Sequence, residues 1–409
     1  MRISSLFLLL TLFLSACSAS PSSLTTSSPG ISTAPNIIVP TPPSCTAIQV
    51  EPTPGSDAPS LFVPESATDH VRGAEAPLIT MTEYSDYQDL RSGLLAKVID
   101  QLLDEHPDEL RVVSRVFPLM SINDKAALAA QAADAAGEQD KFWEMHHLLY
   151  AQQNNWIKLS VADFEQWLSA QASALGMDVD QFQADMERED IVKKVQQAWE
   201  GGQKIGLPGT PFILINGQIY GGPRDHTSLN DIIQLVILGK RQYSSCPPVT
   251  VGQNKQYIAT LHTEKGDIVL QLFADKAPMT VNSFLFLVKE GWYDNITFHR
   301  VIPDLFAQTG DPSGTGKGNP GYYTITEIDP ALTFDKPGMV AMVNSGPDTS
   351  GSQFFITYAP TTQYNGQYTI FGQVLDGQEV LKQLTPRDAK PGTDTPPGDK
   401  LINITVEEK

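Results

Sequence analysis

The chain has 409 residues and a formal net charge of −19 at pH 7, from 28 Lys and Arg against 47 Asp and Glu. That length leaves room for two domains, and 41% hydrophobic with 18% charged residues is the composition of soluble globular protein. The acidity argues against nucleic acid as a partner, which requires basic surface, and against charge-driven binding to anionic lipid.

The N-terminus carries Arg2 and then a short apolar core, Leu6–Phe13, too short to cross a membrane as a helix. Leu14-Ser15-Ala16-Cys17 follows and resembles a bacterial lipobox. The resemblance implies a signal peptide over 1–16, lipidation of Cys17, and an extracytoplasmic protein tethered to the membrane by acyl chains. The other reading is a plain secretory signal with an incidental cysteine. Residues 17–60 are rich in Ser, Thr and Pro and read as a linker, since such composition buries little apolar surface. With Cys17 lipidated, Cys45 and Cys246 remain in an oxidising compartment. They form either a disulfide clipping the linker to the end of the next domain or two free thiols; we favour the disulfide.

Residues 61–245 form the first folded domain. Ala76–Glu83 reads as a strand, Gly93–Leu103 as a helix and Leu110–Phe117 as a strand. A long helical section runs from Lys125 to about Gln203. Phe212–Ile215 and Gln218–Tyr220 read as a strand pair around Asn216-Gly217, and Asp231–Leu238 as a closing helix. Glu83-Tyr84-Ser85-Asp86-Tyr87-Gln88, Gly137–His146 and Gly206-Leu207-Pro208-Gly209-Thr210-Pro211-Phe212 make this region resemble an α/β thioredoxin fold of the DsbA-like kind with a helical insert. The resemblance makes Pro211 the cis-proline and places a polypeptide-binding groove beside it. Asp89-Leu90-Arg91-Ser92 stands where that family has Cys-x-x-Cys. Thiol–disulfide exchange needs a thiolate, so an oxidoreductase is disfavoured. A docking or structural module and a mere spacer both remain open. His146 and His147 are neighbours on a helix and diverge, so they make no metal pair, and no cofactor is expected.

Residues 255–409 form the second domain. Tyr257–Leu261 and Asp267–Phe273 read as a hairpin, and Val281–Glu290 as a helix stopped by Gly291. Phe298-His299-Arg300-Val301-Ile302-Pro303 leads through Gln308 to Asp311, and Ser350-Gly351-Ser352-Gln353-Phe354-Phe355 follows later. With Ala277–Phe284, Met342–Pro347 and Phe371-Gly372, these runs resemble the cyclophilin family of peptidyl-prolyl isomerases.

That resemblance implies a closed eight-stranded antiparallel barrel with two capping helices, acting on proline-containing polypeptides during the folding of extracytoplasmic proteins. Rotation about X-Pro faces a barrier of about 18–20 kcal/mol and breaks no covalent bond, so no nucleophile or metal is needed. By resemblance Arg300 is the catalytic cation and Gln308 holds it in place. Leu305, Phe306 and Phe355 form the proline pocket, while His299 and Asn344 bind the substrate backbone, Asn344 through its main chain. The family's pocket-wall Trp, Leu and His become Gln363, Tyr364 and Tyr368 here, and Asp304 and Thr309 replace glycines. These departures leave a noncatalytic peptide-binding scaffold as the alternative. The loop Gly310–Gly318 imitates a phosphate loop, but its spacing fails at Asp311 and at Gly318, so no nucleotide is expected.

Overall fold

The structure, a computed structural model, describes residues 45–48, 62–252, 254–388 and 396–409. Residues 1–16 and Cys17, with their expected processing and lipidation, lie outside the described residues, as does most of the Ser/Thr/Pro-rich segment.

One short piece of that segment is not a linker. β1 (Cys45–Ala47) pairs antiparallel with a strand of the second domain, Cys45 opposite Thr324 and Ala47 opposite Tyr322. Ile48 N–H continues the pairing by donating to the Gly321 carbonyl at 2.8 Å. Cys45 is disulfide-bonded to Cys246, 201 residues on.

The first domain is built on a five-stranded sheet. It opens with β2 (His70–Gly73) and β3 (Ile79–Ser85). β3 starts at Ile79 rather than Ala76, since Pro77 brings no N–H to a ladder. α1 (Leu90–Glu105) begins three residues earlier than its apolar spacing indicated, because Asp89 caps it, accepting from the N–H groups of Arg91 and Ser92. α1 is the crossover between β3 and the parallel β4 (Leu110–Val116).

The helical section resolves into six helices. They are α2 (Ala126–Gly137), α3 (Phe142–Ala151), α4 (Gln153–Trp156), α5 (Val161–Ala174), α6 (Val179–Met186) and α7 (Glu189–Lys204). α2 buries five alanines in a cluster with Trp156, Phe164 and Phe182, their small side chains admitting the large rings. β5 (Phe212–Ile215) and β6 (Gln218–Tyr220) turn through Asn216 and Gly217, both at positive φ (48° and 77°), as a tight two-residue hairpin requires. α8 (His226–Gly239) closes the domain. The sheet order is β2-β4-β3-β5-β6, and Met81, Ile99, Val112, Ile213 and Ile233 are buried between the sheet and helices α1 and α8.

The second domain alternates buried and half-buried residues through β7 (Tyr257–Thr263), which pairs residue for residue with β8 (Gly266–Leu272). Then come α9 (Pro278–Lys289), β9 (Ile296–Thr297), β10 (Arg300–Ile302), β11 (Phe306–Thr309), β12 (Tyr322–Thr324), β13 (Met339–Met342), β14 (Phe354–Thr357) and β15 (Ile370–Asp376). α10 (Gln378–Leu381), β16 (Arg387–Asp388) and β17 (Lys400–Glu408) complete it.

The expected closed eight-stranded barrel is corrected by the ladder, a curled half-barrel of ten strands in the order β16-β10-β11-β14-β13-β15-β8-β7-β17-β9, open between its ends. Both edge strands have two residues, too few to carry a ladder across the gap. Phe298 and His299, between β9 and β10, turn inward and are buried, and the Phe298 N–H donates to the Asp399 carbonyl. Phe284, Trp292, Tyr293, Phe354 and Phe371 fill the interior.

The two domains belong to one compact unit, and the connection between them lies against the second. Tyr243 N–H donates to the Pro320 carbonyl at 2.8 Å, and Asn282 Oδ1 accepts from Thr250 N–H at 2.7 Å. Arg241 lies 5.3 Å from the centroid of Trp292 and donates to the Gly291 carbonyl at 3.2 Å.

Candidate active site

The β10–β11–β14 ladder brings the distant site residues together. Arg300 is opposite Gln308, and Gln308 is opposite Phe355, so these three side chains share a face of the sheet. The turn before β11 needs a left-handed residue, and Asp304 supplies it at φ 62°. An aspartate tolerates that conformation better than most side chains, which accounts for its taking a glycine's place. Thr309, the other such replacement, is fully buried and satisfies its hydroxyl on the Thr297 carbonyl at 2.9 Å.

An apolar cluster forms the floor. Phe306 and Phe355 have ring centroids 5.5 Å apart, Tyr368 meets Phe355 edge-on at 5.3 Å, and Tyr364 meets it at 6.0 Å. Leu305 is half-buried against the same cluster. Phe334, absent from the sequence reading, stacks on Phe355 at 5.9 Å and 15° and is fully buried. It sits in an irregular stretch with no period to betray it. Gln363 is exposed on a single 3-10 turn, Thr362–Tyr364, and its carbonyl accepts from Gln367.

Arg300 lies over this floor with its guanidinium carbon 5.2 Å from the Phe306 centroid. Gln308 does not hold it. The Gln308 amide donates to Gln353 Oε1 at 2.9 Å, and Gln353 donates to the carbonyls of Gly316 and Gly318. Arg300 Nε instead donates to Asp388 Oδ1 at 2.8 Å. Both partners flank Arg300 on its sheet face, but a carboxylate makes the stronger, charge-assisted bond. Neither Gln353 nor Asp388 was given a role by sequence reading, although Gln353 lies in the Ser-Gln-Phe-Phe run that carried the resemblance.

His299 is 5% exposed, and neither ring nitrogen has a hydrogen-bond partner among the described residues. Burial lowers its pKa to about 4, outweighing the nearby Asp311 carboxylate, so the ring is neutral at pH 7. Asn344 engages its side chain internally, donating to the Gln367 carbonyl at 2.9 Å and accepting from Gly346 N–H at 3.3 Å. Among the described residues its own main-chain N–H and carbonyl have no partner, as an edge ready for an extended peptide would.

The Gly310–Gly318 loop is closed on its own aspartate. The buried Asp311 carboxylate accepts from Ser313 N–H at 2.8 Å and Gly318 N–H at 2.9 Å. The loop N–H groups of Ser313 and Gly318 are therefore already taken by the chain's own side chain. Lys317 turns away to Asp231 of the first domain at 3.1 Å.

In the first domain, Asp89 at the start of α1 accepts from Ser92 Oγ and from Thr210 Oγ1, each at 3.0 Å. The Thr210–Pro211 peptide is cis. A groove of about 630 Å³ beside it is lined by Arg91, Leu94, Val98, Pro211 and Arg224 among others. In the sheet of the same domain Glu83 is fully buried, accepts from Ser114 Oγ at 3.0 Å, and has its pKa raised by burial to about 7.

Residues 258–406 match the family described as cyclophilin type peptidyl-prolyl cis-trans isomerase/CLD, and residues 65–235 match one described as thioredoxin. The chain is 41% identical over 181 residues to peptidyl-prolyl cis-trans isomerase A of Mycobacterium tuberculosis, covering 40% of this chain and 99% of that protein. It is 47% identical over 146 residues to a peptidyl-prolyl cis-trans isomerase of Arabidopsis thaliana, covering 35% of this chain and 88% of that one. A solved cyclophilin-type isomerase of Cryptosporidium parvum is 34% identical, covering 37% of this chain and 98% of that chain with a TM-score of 0.34.

Proposed function

This chain belongs to the cyclophilin-type peptidyl-prolyl cis-trans isomerase family and acts on proline-containing polypeptides, and we propose that Arg300 is its catalytic cation and that its clients are proteins outside the cytoplasm. The observation that carries the site is Arg300 placed over Phe306, beside the aromatic floor made with Phe355. A proline ring seats on that floor, and the Asn344 main chain binds the peptide beside it. As the X-Pro bond twists, the prolyl nitrogen loses amide resonance and gains a lone pair. A guanidinium donor then binds it more strongly than it binds the planar amide, and that difference lowers the barrier. A guanidinium is a fixed cation, so no proton has to move. The neutral, buried His299 shapes the wall behind it.

The extracytoplasmic reading is supported by the lipobox-like Leu14–Cys17 and by the Cys45–Cys246 disulfide, a bond of oxidising compartments. Cys17 carries the lipid anchor in this reading. The first domain serves as a docking module that presents extended polypeptide in the groove beside Pro211 to the isomerase. The test is cis-to-trans conversion across a panel of X-Pro peptides and a proline-limited refolding protein. Acceleration of none of them would sink the reading. Radiolabelled fatty acid incorporated by the wild type and lost in Cys17→Ser tests the anchor separately.

A further inference from the structure

We propose that Asp388 is the positioning residue of the isomerase, holding the Arg300 guanidinium at a fixed angle over the proline pocket. The proposal rests on Arg300 being the catalytic cation. Asp388 and Arg300 are register partners on β16 and β10, so the backbone itself puts the two side chains side by side. The contact uses Nε of Arg300, at 2.8 Å. Binding through Nε fixes the guanidinium plane and leaves both terminal Nη groups, which have no other hydrogen-bond partner among the described residues, for a substrate. A partner that gripped the Nη groups would compete with substrate; this one does not.

Asp388 is not a chance surface charge. Arg387 donates to the His299 carbonyl at 2.5 Å and to the Pro396 carbonyl at 2.8 Å. Two residues earlier, Thr385 Oγ1 donates to the buried Asp399 carboxylate at 3.1 Å. β16 is thus held by side-chain bonds to the residue before β10 and to the 396–399 segment. Both members of the Arg300–Asp388 pair are 45% exposed, where an ion pair adds little to stability. Its effect therefore falls on the geometry of the cation, and a misplacement of about 1 Å can cost up to about 100-fold in rate.

The experiment measures kcat and KM for an X-Pro peptide with the whole protein as wild type, Asp388→Ala, Asp388→Asn, Arg300→Ala and the Arg300→Ala/Asp388→Ala double variant, with melting temperatures alongside. The expected result is a kcat lowered about 10- to 100-fold in Asp388→Ala with KM and melting temperature little changed. Asp388→Asn keeps an oxygen acceptor for Nε and recovers part of the rate. The double variant is no slower than Arg300→Ala. An unchanged kcat in Asp388→Ala, or an equal further loss on adding it to Arg300→Ala, overturns the proposal while leaving Arg300 in its role. A wild-type rate in Arg300→Ala overturns the assignment of the catalytic cation itself. Should Asp388→Ala melt early, the Asp388→Asn variant decides by the same comparison.

Discussion

Asp89 accepts a hydrogen bond from Thr210 at 3.0 Å, joining the first residue before α1 to the residue before the cis-proline across 121 positions. The same carboxylate caps α1, so a side chain with no thiol chemistry occupies the spot where a dithiol enzyme needs a thiolate. Insulin reduction by the purified protein is accordingly expected to be no faster than by the reductant alone. Turnover above that background would contradict the reading of Asp89–Ser92.

The aromatic floor gives a second expectation. Phe355 touches Phe306, Phe334, Tyr364 and Tyr368 and is 4% exposed. Phe355→Ala should cost about 3–5 kcal/mol of stability in the second domain and raise KM for X-Pro peptides. Denaturant unfolding with paired kinetics checks both; an unaltered KM in a folded variant would remove Phe355 from the pocket.

His299 predicts the acid side of the stability profile. Its folded pKa of about 4 lies below the ordinary value of 6.5, so the unfolded chain binds the proton first. Its contribution is complete above pH 6.5 and is lost as pH falls toward 4, by on the order of 2–3 kcal/mol. Unfolding free energies of wild type and His299→Gln, measured across that window, should differ in slope.

Glu83 predicts the opposite sign in the first domain. Burial raises its pKa from 4.5 to about 7, so the folded state holds the proton longer than the unfolded state. Its contribution is complete below pH 4.5 and falls as pH rises to 7. Glu83→Gln should therefore gain stability relative to wild type as pH is raised through that range. A difference independent of pH would show that Glu83 ionises freely.

Much of this was legible where local signals and tertiary structure agree. Asn216-Gly217 announced the β5–β6 hairpin because only residues tolerant of positive φ make that turn. The runs around Arg300 and Phe355 fall on strands of one sheet joined through β11, which brings the candidate site residues together. What escaped depends on pairings across long stretches of chain. Asp388 meets Arg300 over 88 residues, and nothing near Arg387-Asp388 marks it. β1 is hidden in Ser/Thr/Pro-rich composition and acquires a strand only by pairing with β12. The assignment of Gln308 to Arg300 failed on competition, because Asp388 offers the stronger acceptor and Gln353 takes the amide.

The measurement that bears most directly on the account is cis–trans exchange of an X-Pro peptide, followed by NMR with the whole protein as wild type and as Arg300→Ala. Loss of the directed donor should slow catalysis by about 100-fold or more while the melting temperature holds. Exchange as fast in a folded Arg300→Ala as in wild type would contradict the role given to Arg300 and the mechanism built on it.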